Sequence, residues 1–370
     1  MKVLHVISDE NIGGAGVLLT SLLRVLDRNQ IESVVALPCG SHLIDRIVQL
    51  EVPILELKHP CDRINGRSIW EIEKFIRLES CDLIHTNAAI CARIAGKMAC
   101  KKVIHTRHCC FPPSKIWKNQ LVRSVGGRIN SWLSDAVIAT ADAAAENLYQ
   151  LGVSPKKVEV IINGSMPVRT VSDAELALAR KRYRINENDY CIGICARLEP
   201  YKGQKVFLDA AKEIMTRFAQ KTFCFLIIGT GVMEMELKRY ADSLGILPFV
   251  RFTGFVEDMA TIYRLLRINV NCSSGTETSC LALSEGMSAS LPFVASDYGG
   301  NISMLGGSEA GFLFETNNPI ALADQLCKII ENPELENRMK IAALARFEEK
   351  YTAAGMGNAL TAVYQKLMNH

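Results

Sequence analysis

Between Asp82 and Asp135 the chain carries no acidic residue. The same stretch holds nine cations, Arg93, Lys97, Lys101, Lys102, Arg107, Lys115, Lys118, Arg123 and Arg128, although the net charge over 370 residues is only +3. An imbalance this local argues against an evenly charged surface and points to an anionic partner on one face. Long apolar runs are lacking as well. The longest, such as Val3 to Ile7 and Phe223 to Ile228, have the length of strands, far below the roughly 20 residues that cross a bilayer. Met1-Lys-Val-Leu-His-Val-Ile starts directly as a strand rather than as a cleavable leader, so a cytoplasmic protein is expected. Paired C-x2-C spacings are missing among the thirteen cysteines. Cys109 and Cys110 adjoin, and Cys191 and Cys195 fall in one strand and its exit, so reduced core thiols are expected in place of a zinc site or a disulfide scaffold. The chain has no Asp-x-Asp and no G-x-G-x-x-G. Gly13-Gly14-Ala-Gly16 has the wrong spacing, and the second strand leads into Ala36-Leu-Pro-Cys39 with no acid, so a dinucleotide-dependent dehydrogenase loses ground.

What is present is an α/β alternation. At 49% apolar and 22% charged residues the composition is globular, and the length suits two domains. Strands are predicted at Val3–Ser8, Ser33–Leu37, Pro53–Leu57, Leu83–Thr86, Val103–Thr106, Ala136–Thr140 and Val158–Ile162, with helices between them. That is the pattern of a doubly wound parallel sheet. A polar stretch, 169–189, reads as a linker with one surface helix. A second set follows at Cys191–Cys195, Phe223–Ile228, Val250–Thr253, Ile268–Cys272 and Phe293–Ala295, with helical text from Pro319 to Lys350 and from Ala353 to Met368. The predicted division is 1–168 with a returning helix 353–370, and 190–352. Residues Phe111 to Trp132 mix cations with Trp, Ile, Leu and Val at near-helical spacing. They suit either a core-facing helix with a solvated basic face or a helix lying on an anionic bilayer.

The densest chemistry lies in Asn269 to Ser296, read as a strand, a Ser/Gly/Thr loop, a helix opening near Thr278, and a second strand. In such a unit the loop sits at the carboxyl end of the sheet, where unpaired helix amides favour a phosphate. Glu277 and Glu285 are two turns apart, and a carboxylate accepts two coplanar hydrogen bonds, which suits the vicinal hydroxyls of a sugar or a ribose. The bland alternatives are a dipole-favoured helix-start acid for Glu277 and a solvated helix residue for Glu285. After the first strand of the second set comes Arg197-Leu-Glu-Pro-Tyr-Lys202-Gly203. An Arg fork and a Lys point charge can meet the charge that develops on a departing diphosphate without a metal. Singly, each is an ordinary surface cation.

Taken together, Ser274-x-x-Glu277, Glu285-Gly-Met, Leu291-Pro-Phe-Val-Ala-Ser and Gly299-Gly300 resemble the E-x7-E region of glycosyltransferase family 4, the group 1 glycosyl transferases of GT-B fold. Thr278 and Cys280 stand where that family usually has glycines, Gly286 stands for Ala, and Ser290 for Gly. Arg197 to Gly203 resembles the family's R-L-x-x-x-K-G, Thr106-x-His108 its T-x-H, and Gly13-Gly14 its glycine loop. The resemblance implies two facing Rossmann-like domains with a C-terminal crossover helix, and retaining transfer from a UDP- or GDP-sugar. Glu277 would hold the donor sugar, with His108 also on the sugar. Glu285 would hold the ribose, and Arg197 and Lys202 the diphosphate. The backbone from Thr278 through Ser279 and Cys280 to Leu281 would add phosphate contacts, Gly13 and Gly14 would face acceptor and phosphate, and the loop at Phe255 would contact the base. No metal or other cofactor and no nucleic acid are expected. The acceptor would be a glycan or lipid-linked, in surface polysaccharide or glycolipid synthesis, with peripheral contact to an anionic membrane. The rival readings are a nucleotide-sugar epimerase of the same fold and a non-catalytic nucleotide-sugar-binding protein.

Overall fold

The computed structural model describes residues 1–10, 13–87, 89–108 and 119–369. It divides into two compact units, Met1–Ser165 with Thr352–His370, and Met166–Tyr351. In the first unit the strands are β1 (Lys2–Ile7), β2 (Glu32–Pro38), β3 (Ile54–Leu57), β4 (Leu83–Asn87), β5 (Lys102–Arg107), β6 (Ala136–Ala139) and β7 (Val158–Val160). They pair in the order β3-β2-β1-β4-β5-β6-β7, every pairing parallel. Helices on both faces bury these strands, which therefore read as continuous apolar runs (Val3, Leu4, Val6 and Ile7 are all closed to solvent) and lack alternation. The order reverses between β1 and β4, and such a reversal opens a crevice at the carboxyl ends of the strands.

The last helix, Ala353–Met368, belongs to this unit. Its Tyr364 hydroxyl lies 2.5 Å from His85 Nδ1 on β4, and the other His85 nitrogen is 2.6 Å from the Thr106 hydroxyl on β5. The chain turns at Thr352, whose hydroxyl caps the helix by accepting from the Gly355 amide. Gly355 and Gly357 lie within the helix, and Gly357 packs against Val25.

In the second unit the strands are β8 (Tyr190–Cys195), β9 (Phe223–Ile228), β10 (Val250–Gly254), β11 (Ile268–Asn271), β12 (Phe293–Ser296) and β13 (Gly311–Phe314). Their order is β10-β9-β8-β11-β12-β13, again parallel throughout, with the reversal between β8 and β11. Phe207, Phe223, Phe225, Ile227, Leu322 and Leu326 form the centre of a large core between strands and helices. Burying side chains of this size contributes about 1.5–3 kcal/mol each. The sequence reading has no counterpart for β13, a four-residue Gly-Phe-Leu-Phe that follows the turn at Gly306-Gly307. The supposed linker contains a helix, Asp173–Tyr183, closed by a Ser172/Glu175 capping box and packed on the helix Met259–Leu265. The helical text from Pro319 to Lys350 forms two helices, Pro319–Glu331 and Pro333–Lys350, broken where Asn332 caps the second.

Candidate active site

Two loops meet at the β8/β11 reversal. After β8, Pro200 to Lys202 make a single tight turn closed by Gly203, at φ +72°. A Cβ on Gly203 would stand 2.2 Å from the Cys272 carbonyl oxygen, so only glycine lets this turn press against the end of β11. That contact delivers Lys202 to the second loop. Its Nζ lies 2.8 Å from Glu277 Oε2 and 3.4 Å from the Ser273 hydroxyl, and the Ser274 amide donates to the Tyr201 carbonyl at 2.8 Å.

Glu277 is buried, and its Oε2 accepts from Lys202, from the Ser273 hydroxyl at 2.8 Å and from Asn271 Nδ2 at 3.4 Å. Burial alone would raise its pKa, but Lys202 and these donors outweigh that and hold the carboxyl below its ordinary value. Lys202 is likewise opposed by burial and, through Glu277, ends above its ordinary value. Both groups are therefore charged at neutral pH. Asn271 is itself fixed, since its Oδ1 accepts from the Ser273 amide at 2.8 Å. Asn301 donates to the Ser296 hydroxyl and carbonyl, and Ser296 donates to the Ser273 carbonyl at 2.6 Å. This buried polar network lies outside the sequence prediction. Its signal was there in Asn269-Val-Asn271, two amides on one face of an otherwise apolar strand.

The helix Leu281–Ser288 starts three residues later than predicted, because Cys280 is extended and precedes it as the cap position. The Cys280 side chain makes no cap hydrogen bond, and its thiol accepts from Asn271 at 3.0 Å. Burial first, then Glu277, push this thiol up to about 12, so it is neutral and unreactive. Thr278 is buried and Ser279 half-buried on the approach to the helix. Gly300 holds the loop from below. Its amide donates to the Glu277 carbonyl at 3.2 Å, and a Cβ there would overlap the Thr278 carbonyl oxygen.

Glu285 sits in the second turn of this helix and accepts from the Tyr263 hydroxyl at 2.8 Å. Burial raises its pKa, with Tyr263 pulling the other way. The two predicted carboxylates are thus in different electrostatic states, Glu277 ion-paired and Glu285 held by a neutral donor. Arg197 is exposed at the end of β8 and donates to the Tyr201 hydroxyl at 2.9 Å, making no ion pair among the described residues. Phe255 is exposed just past Gly254 at the end of β10, two strands from β8.

In the first unit Gly13 precedes the helix Gly14–Val25, which follows β1, and Gly14 is its first residue. His108 lies just past β5, with Nε2 2.7 Å from Asn87 Oδ1 at the end of β4. Burial lowers its pKa to about 4, so the imidazole is neutral at pH 7. His108, Asn87, Thr106 and His85 border a cavity of about 30 Å³ that Leu18, Leu22 and Met356 also line. Cys109 to Lys118, with part of the basic segment, lie outside the described residues. Among the described residues no helix is long and apolar enough to cross a membrane.

Comparison with known proteins agrees with the fold of two parallel-sheet units. Residues 177–346 match the model described as glycosyl transferases group 1, and residues 12–165 match that of glycosyltransferase family 4. The EpsD protein of Bacillus subtilis (strain 168) is 26% identical over 325 residues, covering 82% of this chain and 83% of its own. The Escherichia coli UDP-Gal:alpha-D-GlcNAc-diphosphoundecaprenol alpha-1,3-galactosyltransferase is 26% identical over 80% of this chain and 79% of its own. The crystal structure of Anabaena HepE in complex with UDP-glucose superposes with a TM-score of 0.85 at 20% identity, covering 99% of this chain and 100% of that one.

Proposed function

Since the chain belongs to the group 1 glycosyltransferases of family 4 and has the GT-B architecture of two parallel-sheet α/β domains, we propose that it is a retaining transferase using a nucleotide-diphosphate hexose. UDP-sugars are the first candidates, on the strength of the relatives named above, and GDP-sugars the second. The acceptor is a glycan or a lipid-linked glycan in surface polysaccharide or glycolipid assembly. The observation that carries this reading is the Lys202–Glu277 contact at the β8/β11 reversal, beside an exposed Arg197.

Each side chain then has a task. Arg197 and Lys202 meet the charge that grows on the diphosphate as the bond from the anomeric carbon to the phosphate oxygen breaks, and they do so without a metal. The amides of the first turn after Cys280 add dipoles to the same oxygens. Glu277, held ionised, accepts hydrogen bonds from the sugar hydroxyls. Glu285 accepts from the ribose, with Tyr263 fixing its orientation, and Phe255 offers an exposed ring to the base. The neutral imidazole of His108 contacts the sugar, and Gly13-Gly14 leave room for backbone approach to phosphate and acceptor. No described side chain is assigned as general base; the departing phosphate oxygen takes the acceptor proton.

The test is direct. Purified protein incubated with UDP- and GDP-sugars should hydrolyse one of them slowly in the absence of acceptor. Glu277→Ala should lose that activity by at least about a hundredfold with its circular dichroism unchanged. Wild-type turnover by this variant would remove Glu277 from the site, and free nucleotide with an epimerised sugar as products would replace transfer by epimerisation.

A further inference from the structure

Tyr201 lies between the two cations of the loop after β8, at a position that the pattern R-L-x-x-x-K-G leaves open. It is half-buried and tied down along its length. Its carbonyl accepts from the Ser274 amide at 2.8 Å and from the Ser274 hydroxyl at 3.4 Å. A Cβ on Gly275 would stand 3.2 Å from Tyr201 Cβ and 3.7 Å from Cγ, so the side chain runs against the loop that carries Glu277. Lys202 Nζ lies 5.6 Å from the centre of the Tyr201 ring. At the far end of that ring the hydroxyl accepts from the Arg197 guanidinium at 2.9 Å. A guanidinium has donors only, so the phenolic proton cannot point back at Arg197. Among the described residues nothing accepts it. The result is a fixed and unused O–H, polarised by the cation behind it and standing beside a second cation.

We propose that the Tyr201 hydroxyl donates a hydrogen bond to a diphosphate oxygen of the nucleotide-sugar, joining Arg197 and Lys202 as a catalytic residue. The assignment rests on the reading of this loop as the diphosphate site. An oxyanion is the group that satisfies a spare O–H and two cations at once. The donor is neutral, so the contact gains most when the oxygen carries its full charge, and it strengthens as the bond to the anomeric carbon breaks. A tyrosine that served only to steady Arg197 would use its oxygen as an acceptor and leave its proton idle. The two roles predict opposite responses to the acidity of the phenol.

Tyr201→Phe keeps the ring against Gly275 and deletes the hydroxyl, so circular dichroism and melting should match those of the wild type. Its kcat for slow hydrolysis of the nucleotide-sugar should fall about ten- to a hundredfold, with a much smaller change in KM. Replacing Tyr201 by a ring-fluorinated tyrosine makes the phenol a better donor and a poorer acceptor. Assayed at about pH 6.5, where the phenol stays protonated, that protein should bind UDP or GDP more tightly than the wild type in calorimetry. Equal or weaker binding would return Tyr201 to the role of a prop for Arg197 and overturn the proposal. A wild type that binds one of the two nucleotides, with a Tyr201→Phe variant that binds and turns over as well, overturns the proposal and leaves the donor site standing. A wild type that binds neither UDP nor GDP removes the donor site and this assignment together.

Discussion

Replacing Lys202 by Met keeps the length and apolar bulk of the side chain and deletes its charge. Lys202 and Glu277 are 16% and 8% exposed and in contact at 2.8 Å. Removing the cation leaves a buried carboxylate to neutral donors, Ser273 and Asn271 among them. Losing one partner of a buried pair costs about 3–5 kcal/mol, and the hydrogen bonds that remain place the expectation at the low end, about 3 kcal/mol. In a unit of this size each kcal/mol lowers the melting temperature by roughly 2–4 °C, so a fall of about 6–12 °C is expected at pH 7.5. The pH dependence identifies the cause. In the wild type Glu277 has a depressed pKa, so its contribution is present above the unfolded value near 4.3 and is lost as pH falls through the folded value. In the variant burial has no cation to offset it, the folded pKa rises above the unfolded one, and the penalty is greatest at neutral pH and eases on acidification. The gap between the two proteins in scanning fluorimetry should therefore narrow from pH 7.5 to pH 5. In a double-mutant cycle with Glu277→Gln, the double variant should regain about 1.5 kcal/mol or more over the sum of the singles. A gap independent of pH, or additivity in the cycle, would refute the account of Lys202 as the counter-ion of Glu277.

Tyr263→Phe deletes the hydroxyl that donates to Glu285, so the Glu285 pKa, already raised by burial, should rise further. Nucleotide affinity measured by calorimetry should then begin to fall at a higher pH on acidification in the variant than in the wild type. His5 is closed to solvent, and burial lowers its pKa to about 4. The unfolded chain therefore binds the extra proton between pH 6.5 and 4, and acidification through that window should remove about 3 kcal/mol of stability, which His5→Gln should partly restore in acid denaturation curves. Gly300→Ala should abolish soluble expression or the donor hydrolysis outright, because its Cβ would overlap the Thr278 carbonyl, whereas Gly66→Ala, with nothing within 4 Å and no positive φ, should retain both.

The architecture was legible because a sheet buried on both faces writes itself as short apolar runs, and each of the twelve predicted strands is found to within about two residues. β13 was not legible. Gly311-Phe-Leu-Phe is short and follows two glycines and a serine, so locally it reads as the end of a turn, and its pairing with β12 decides otherwise. The placement of Arg197, Lys202, Glu277 and Glu285 at one strand reversal follows from the chain order of their loops. Their electrostatic states do not. That Glu277 is tied to Lys202 while Glu285 leans on Tyr263 depends on contacts 75 and 22 residues apart along the chain. Nor could spacing decide the helix ending at Trp132. Its apolar stripe is equally consistent with a core, and only the close approach of Gly127 to Gly152 shows which side faces in.

On the proposed reading, the Lys202–Glu277 contact couples the two ends of the donor. A diphosphate that draws on Lys202 weakens the ion pair that helps keep Glu277 ionised in a buried place. Sugar hydroxyls are donors, so a bound hexose supplies Glu277 with the partners the diphosphate takes away. A free nucleoside diphosphate brings no such donors. The same logic bears on product release, because cleavage of the glycosidic bond to phosphate raises the charge facing Lys202 as the sugar leaves Glu277. The Arg197 guanidinium, which donates to the Tyr201 hydroxyl and makes no ion pair among the described residues, can meet that added charge without breaking one. This separates the two cations by function: Arg197 is available to an arriving anion, and Lys202 joins it only when Glu277 has gained other partners.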